Sequence, residues 1–509
     1  MSAQQLETSN DSKQMNALVF ETTSSVRIEA IPKPPQQSQL TLGWLLMKAA
    51  SPTLMQVLVQ NIAFSCVIYF ISLKNDAELL GSFGLGLTIY NVTFSSFLTA
   101  LNSGFSTLGA QAYGANNPLL LGLYYKKALV IGFLTVWPAI ILFMFSGKLL
   151  TLCRFDQSFS YKVQSVLLAT LPSALGNSYF DVSKNYLVAQ KIFAPQGYIQ
   201  LVMTLFDITN QYLTIVHFDL GIVGYGIGKF LNETGRAILI HLYIRYSKKC
   251  SKSTVPWSAD SFRGIIKQWK FQITAGGIVI LEILANQLIH IQNAYFTPQV
   301  IAAGLIYSRI SDLFFKIMLS FTIALSSFIG NSMGEQNVIR AKSLIRVGIK
   351  FAVILTLTVW TILCNSSDRI LSWFSTDPLV LSTGNQLISL YLFLCGLDFT
   401  QNVLGSAVKS IGKEKVVSKL FFISYYLVAA PASLLMAHVL KLRILGLYGA
   451  TGLAQLLNCI VCTIFLIRVD FEEQAKFIVD RVKKNSASSL KKIKPKKFTD
   501  EESETPTSK

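Results

Sequence analysis

The sequence predicts an all-α, polytopic membrane protein with about twelve transmembrane helices, arranged as two parallel six-helix bundles around a central cavity. Three observations lead to this prediction: a shortage of charge, a series of long apolar segments, and a repeat of the first half in the second. Of the 509 residues, 51% are hydrophobic and 14% are charged, whereas a soluble domain carries about 25% charged residues. A chain with so little charge is suited to lipid rather than to water.

The apolar segments are long enough to cross a membrane, which takes ~20 residues in a helix. Lysine and arginine provide an independent check on their number, because cytoplasmic loops are enriched in both. With the amino terminus inside, about nineteen of these residues lie in the even-numbered connections and about seven in the odd-numbered ones. We therefore predict twelve spans with both termini in the cytoplasm. The spans are 50–73, 79–111, 123–146, 162–190, 195–217, 220–245, 268–294, 299–331, 342–364, 381–411, 416–440 and 445–468.

Polar stretches divide the chain into five regions. Residues 1–45 are predicted to form a disordered cytoplasmic arm, and residues 46–246 form the first six-helix bundle. A basic cytoplasmic linker, 247–267, leads to the second bundle at 268–468. Residues 469–509 are predicted to be a polar cytoplasmic tail. Its basic cluster, 491–497, is either a solvated surface or a contact with anionic lipid headgroups.

The two predicted bundles repeat in sequence. The pattern small-x-amide-x-x-Gly closes the second span at 106–114 and the eighth at 326–334, an offset of 220 residues. Gly221 and Gly224 open the sixth span much as Gly446 and Gly449 open the twelfth. Because each repeat has an even number of spans, both halves have the same orientation, which predicts a pseudo-twofold axis along the membrane normal.

Charge and cysteine content argue against other classes of protein. The net charge of +18 lies in short loops and in the tail, a distribution that suits anionic lipid and argues against a nucleic-acid partner. Most of the seven cysteines lie in apolar runs, and the four histidines are scattered. We therefore predict no metal site, no catalytic residue and no enzymatic activity. We expect a monomer.

Two acidic residues interrupt apolar spans. Glu282 lies near the middle of the seventh span and Asp398 near the middle of the tenth, and neither has a basic residue three or four positions away. A charge near the bilayer centre costs about 2.5–3.5 kcal/mol on insertion scales. An unpaired carboxyl can be neutral while sheltered and ionised when a cation or water arrives. That behaviour is what coupling to protons or sodium requires, so we predict this role for both residues.

Other charges within the spans are predicted to neutralise one another locally. Lys229 and Glu233 are four residues apart on the sixth span, while Arg309, Asp312 and Lys316 share one face of the eighth. Asp207, on the fifth span, is interpreted either as facing the cavity or as structural.

Several motifs, in order along the chain, resemble those of the multidrug and toxic compound extrusion family in its eukaryotic form. They include Gln-Ala-Tyr-Gly-Ala at 111–115 and Gly-Asn-Ser-Met-Gly at 330–334, and they continue at 405–415, 425–431 and 446–449. The resemblance covers about residues 50–468. It implies that a glutamate on the seventh helix and an acid on the tenth line a cavity in the second half, and Glu282 and Asp398 take these positions.

Some family acids are replaced in this chain. Gln287 stands where eukaryotic members often carry a second glutamate, and Arg309 replaces a glutamate of some animal members. The first helix offers amides, Gln56, Gln60 and Asn61, in place of a prokaryotic aspartate. These departures favour a less cationic or narrower set of substrates.

The resemblance implies a secondary active antiporter that exports small organic compounds or xenobiotics, chiefly cations, in exchange for protons by alternating access. Glu282 and Asp398 would bind the proton and the substrate in competition. Sodium coupling, and a flippase for a lipid-linked substrate, remain the alternatives. No cofactor beyond the ion gradient is expected, and the predicted location is the plasma membrane or a vacuolar or endosomal membrane. The residues predicted to line the substrate cavity are Gln111, Gln287, Tyr307 and Asn331.

Overall fold

A computed structural model describes residues 38–74, 76–293 and 296–489, which are helical almost throughout. Twelve helices follow the predicted spans, six in each half, and a further helix follows them. The first half contains α1 (Gln39–Ser72), α2 (77–114), α3 (Pro118–Leu152), α4 (157–189), α5 (194–217) and α6 (Gly221–Tyr246). The second half contains α7 (Ile265–Asn293), α8 (Pro298–Gly334), α9 (Val338–Ser372), α10 (Pro378–Ser410), α11 (414–439) and α12 (Arg443–Arg468), and α13 (Phe471–Ser489) closes the described chain.

Nine of the helices in the described part of the chain are long and apolar enough to cross a membrane by length and composition. The three of the twelve that fall short are α4, α5 and α6. α4 is interrupted between Thr170 and Ser173, and α6 carries Lys229, Glu233 and Arg236 near its middle. The polar residues of these helices are largely buried, so their weak apolar signal reflects polar groups that are sheltered inside the first half.

The structure corrects the predicted boundaries at both ends of the membrane domain. α1 begins at Gln39, so residues 39–45 are helical although the sequence places them in the arm. They are held because Leu42 and Leu46 are buried in the hydrophobic core of the second half. The predicted polar tail contains α13, and the linker contains two 3-10 helices, Lys248–Ser253 and Ala259–Ser261. Residues 1–37 and the basic cluster 491–497 lie outside the described residues.

The backbone confirms the twofold repeat. Residues with positive φ recur at equivalent turns of the two halves: Asn116 (φ 55°) and Gln336 (φ 55°), Lys191 (φ 63°) and Gly412 (φ 90°), Asp219 (φ 54°) and Lys441 (φ 55°), and Gly221 (φ 53°) and Arg443 (φ 52°). Corresponding helices also match in length, since α3 and α9 each have 35 residues and α6 and α12 each have 26. The two halves therefore follow the same path. The structure corrects one match made from the sequence: the equivalent of Gly221 is Arg443, so Gly446 corresponds to Gly224 instead.

Glycines allow the two halves to touch at one end of the molecule. A Cβ added to Gly276 of α7 would collide with the backbone of Ala100 on α2, and one added to Gly104 would collide with Gln272 on α7. Nearer the ends of α2 and α8, a Cβ on Gly114 would collide with the backbone of Asn331. We call this end the α13 face: it comprises the turns 115–117, 190–193, 335–337 and 411–413, and α13 lies across it.

Hydrogen bonds between the halves are concentrated at the α13 face. Ser327 of α8 donates to the carbonyl of Val188 (2.7 Å), and Gln268 of α7 donates to that of Tyr124 (2.9 Å). Lys191 pairs with Glu335 across the halves (3.0 Å). Glycine contact and hydrogen bonding together leave little space between the halves here, so the structure is closed at the α13 face.

Candidate coupling site in the second half

The structure brings Glu282 and Asp398 together inside the second half. Glu282, on α7, is buried, and Asp398, on α10, is partly buried. The side-chain amide nitrogen of Gln401 lies between them, 3.2 Å from Oε1 of Glu282 and 3.1 Å from Oδ1 of Asp398. One amide group therefore contacts both carboxylates, and the two acids form a single site.

Neutral polar side chains complete this site. The Gln401 amide nitrogen also lies 2.8 Å from the hydroxyl of Tyr425, which is 3.5 Å from Oε1 of Glu282. Gln455 of α12 donates to Oδ1 of Asp398 at 3.2 Å, and Asn458 donates to Oε1 of Gln401 at 3.0 Å. Four helices, α7, α10, α11 and α12, thus contribute to one network.

The network places two acids together without a cation beside them. The hydrogen bonds of Glu282 and Asp398 run to amides and a phenol, and in the described part of the chain neither acid has a lysine, arginine or histidine partner. Two nearby carboxylates disfavour their joint ionisation, because like charges repel. Gln401 has two N–H groups facing three oxygens, so it cannot donate to all three at once. The site can therefore take up a proton or an external cation.

A small cavity adjoins the network. It shares Tyr425 with the site and lies between α7, α11 and α12. Its lining is mainly apolar, with a few hydroxyl groups and the amide of Gln292, whose Oε1 accepts a hydrogen bond from Ser433 (3.0 Å). Small-molecule sites commonly combine an apolar lining with few polar groups. The cavity is lined by Ala285, Leu288, Gln292, Tyr425, Ala429, Ala430, Ser433 and Thr451.

Irregular helical geometry positions Tyr425 at this cavity. The residue lies in a π-helical segment, Ile423–Ala429, and a second such segment, Leu435–Val439, ends α11. π-helical turns are uncommon and occur often at functional sites. α11 therefore departs from regular geometry where it borders the acids and the cavity.

The structure separates the predicted cavity residues into two groups. Tyr307 is buried within the second half, where its ring lies 4.4 Å from that of Tyr448 and 5.7 Å from that of Tyr391. Gln287 is partly buried on α7, one turn beyond Glu282. Both lie in the same half as the acids, and Tyr307 belongs to an aromatic cluster of its own.

Gln111 and Asn331 lie instead at the α13 face. Gln111 donates to the carbonyl of Ser410 (2.9 Å), and Asn331 donates to that of Ala189 (3.2 Å). Both side chains are fully enclosed between the two halves. In this conformation their hydrogen bonds join the halves, and the structure does not bring them to Glu282 and Asp398.

The first half contains a separate group of buried charges. Glu233 pairs with Arg236 through two hydrogen bonds of 2.8 and 2.9 Å, and the Arg236 guanidinium lies 4.0 Å from the centroid of the Phe180 ring. The predicted Lys229–Glu233 pair is therefore wrong. Lys229 donates to the hydroxyl of Tyr225 (3.1 Å) and lies over the Tyr90 ring (4.5 Å). Arg236 is the partner instead, and its Nη1 donates to both carboxylate oxygens of Glu233.

Two further charge predictions have different outcomes. Asp207 is buried on α5 and accepts from Gln211 at 3.4 Å, so it is sheltered in the first half. Lys316 pairs with Asp312 as predicted (2.6 Å) and also donates to Asn61 (2.9 Å), whereas the side chain of Arg309 is exposed.

We expect Arg236→Ala to destabilise the fold strongly. Removing one partner of a buried ion pair costs about 3–5 kcal/mol, because it leaves an uncompensated charge. Lys184→Ala is the matched control, since Lys184 also pairs with an acid three residues away, Asp181 (2.7 Å), in a more exposed position. Exposed pairs contribute about 0–1 kcal/mol. Thermal unfolding in detergent micelles measures both variants, and equal losses would contradict a structural role for the Glu233–Arg236 pair.

Comparison with known proteins identifies the family. The model of the MatE family matches residues 52–213 and 276–435, one match in each half and more than half of the chain in total. The chain belongs to the MatE family. This explains the repeat, because each match covers most of one six-helix bundle.

Curated relatives of this MatE chain are extrusion proteins. The chain is 22% identical to multidrug and toxin extrusion protein 1 of Rattus norvegicus over 388 residues, which cover 76% of this chain and 69% of the relative. It is 24% identical to Protein DETOXIFICATION 16 of Arabidopsis thaliana over 460 residues, 88% of this chain and 91% of the relative. The protein is therefore a multi-pass membrane transporter of a multidrug and toxin extrusion family.

A solved structure shares the fold. The crystal structure of the eukaryotic MATE transporter AtDTX14 superposes with a TM-score of 0.81 at 19% identity, over 87% of this chain and 99% of that chain. The predicted fold class, twelve transmembrane helices in two bundles, is confirmed by this similarity.

Proposed function

We propose that the protein is an antiporter that exports small organic compounds in exchange for protons, with Glu282 and Asp398 as the coupling residues. The observation that carries the proposal is the contact of one amide, that of Gln401, with both carboxylates at 3.2 and 3.1 Å. Two acids without a cationic partner can hold either protons or a bound cation. Competition between the two then couples export to proton entry.

The cavity beside Tyr425 supports an organic cation as the substrate. Its lining is mainly apolar with few polar groups, as is common for small-molecule sites. An aromatic ring and a nearby acid pair suit an organic cation, since cations bind both carboxylates and aromatic faces. Among the described residues that line the cavity there is no lysine or arginine, so the cavity favours such a substrate over the phosphate group of a lipid-linked one.

The proposed topology places both termini and the α13 face on the cytoplasmic side of the membrane. The proposed transporter is a monomer in the plasma membrane or in a vacuolar or endosomal membrane. Extrusion would then load substrate from the α13 face and release it at the opposite face.

Transport in sealed vesicles tests the proposal. We expect purified protein in proteoliposomes to accumulate or release the fluorescent cation ethidium when a pH gradient is imposed, with no response to a sodium gradient at equal pH. Vesicles without protein, and vesicles with the pH gradient collapsed by an ionophore, are the controls. A response to sodium alone would replace proton coupling with sodium coupling. A response to neither gradient would contradict ethidium as a substrate and, if repeated across a panel of organic cations, the proposed function.

A further inference from the structure

α13 joins the hydrophobic cores of both halves. Its first turns contribute Phe471, Ala475 and Ile478 to the core of the second half, whereas Val482 belongs to a core of the first half that includes residues of α2, α3 and α4. These four residues are spaced four, three and four apart, so they form one face of the helix. One apolar face of α13 thus packs against both halves of the protein.

Arg481 lies where α13 crosses from one half to the other. Its guanidinium donates to Oε1 of Gln111 on α2 and lies 3.5 Å from Oε1 of Glu414 on α11. It also stacks 5.0 Å from the centroid of Phe271 on α7. Gln111 and Glu414 are both buried. One side chain therefore binds the amide of the first half and the acid of the second.

The last described turns of α13 bind the first half. Asn485 donates to the hydroxyl of Tyr124 on α3 (2.9 Å), and Asn117 donates to the hydroxyl of Ser486 (3.0 Å). Asn485 also accepts from Lys267, at the start of α7 (3.0 Å). These hydrogen bonds of α13 with the first half lie in its second part, 481–486.

We propose that α13 is a clamp that stabilises the conformation closed at the α13 face, and that Arg481 is its central positioning residue. α13 follows α12 after two residues, 469 and 470, and its first turns lie in the core of the second half. It therefore stays with the second half when the halves separate. Opening of the α13 face then requires segment 481–486 to release α2 and α3. In a transporter that alternates between two openings, the contact of segment 481–486 with α2 and α3 shifts the equilibrium toward the conformation that is closed at the α13 face.

The proposal concerns the conformational equilibrium of the proposed transporter, and its test needs neither substrate nor gradient. Hydrogen–deuterium exchange of full-length protein in detergent micelles reports separation of the halves. The informative segment is 98–104 of α2, which packs against α7 through Gly104 and Ala100 and ends seven residues before Gln111, the α2 residue that Arg481 binds. We expect Arg481→Ala to raise exchange in this segment by roughly tenfold or more, where tenfold corresponds to about 1.4 kcal/mol in the opening equilibrium.

A matched variant separates the clamp from a general loss of charge. Lys484→Ala removes the same charge from the exposed side of the same helix, and we expect it to leave exchange in 98–104 within about twofold of the wild type. Asn485→Ala provides a second test if Arg481→Ala does not fold. It weakens the contact with α3 without a change of charge, and it should also raise exchange in 98–104. Exchange that rises only in α13 and its direct partners, or not at all, would show a docked helix with no effect on closure and would overturn the proposal. This outcome is independent of whether Glu282 couples protons.

Discussion

Glu282→Gln is expected to abolish transport driven by a pH gradient while the protein remains folded. Glutamine has nearly the same shape as a protonated glutamate and can keep the hydrogen bonds that Glu282 makes with Gln401 and Tyr425. It cannot release a proton, so the exchange of a proton for substrate stops. Ethidium flux in proteoliposomes should fall to the level of empty vesicles, and the unfolding temperature should change little.

The control for this experiment is Glu472→Gln, which replaces an exposed acid of α13 and should transport like the wild type. Asp398→Asn should behave like Glu282→Gln, because Gln401 contacts both acids. Undiminished pH-driven flux in Glu282→Gln would remove this residue from the coupling site. Loss of folding in Glu282→Gln alone would assign it a structural role instead.

Gly276→Ala is expected to lower both stability and transport, whereas Gly277→Ala should preserve both. A Cβ at position 276 would collide with the backbone of Ala100, which cannot move without separating α7 from α2. A Cβ at position 277 would meet only the Ser418 side chain, with Oγ at 3.2 Å. Overpacking costs typically about 1–3 kcal/mol, while alanine in a helix interior is favoured over glycine by roughly 0.5–1 kcal/mol.

Thermal unfolding in micelles and ethidium flux measure the two glycine variants side by side. The same chemical change at adjacent positions should lower the unfolding temperature at 276 and leave it equal or higher at 277. Equal behaviour of the two variants would show that close approach of α2 and α7 is not required for the closed conformation.

The sequence predicts the fold and singles out two acids within the spans because both features produce strong signals. Apolar segments of transmembrane length are visible directly, and a carboxylate inside one is conspicuous because of its cost. Gln401 and Asn458 were not predicted, since neutral amides carry no comparable penalty and are common in helices for structural reasons. Their place in the network depends on α10 and α12 packing together, which a single sequence does not reveal.

Three other features depend on more than the local sequence. The motif that contains Gln111 is visible in the sequence, but the contact that its small residues make with the second half depends on how α2 and α8 pack together. α13 has the composition of a tail, although the spacing of Phe471, Ala475, Ile478 and Val482 indicates an amphipathic helix. The partner of Glu233 is ambiguous in the sequence because spacings of three and four are both compatible with a helix.

The turns with positive φ have a consequence for how this molecule can be altered. Four pairs of residues, in three pairs of turns, share a backbone conformation, and no pair has the same amino acid in both halves. The repeat is thus preserved in the backbone conformation of the turns although the side chains have diverged, as expected of a duplicated gene. Each half can therefore serve as a template for the other. Arg443, whose counterpart is Gly221, adopts a conformation that disfavours residues with a Cβ. The substitution Arg443→Gly, which introduces the residue found in the first half, would relieve that strain and yield a more stable protein for crystallisation.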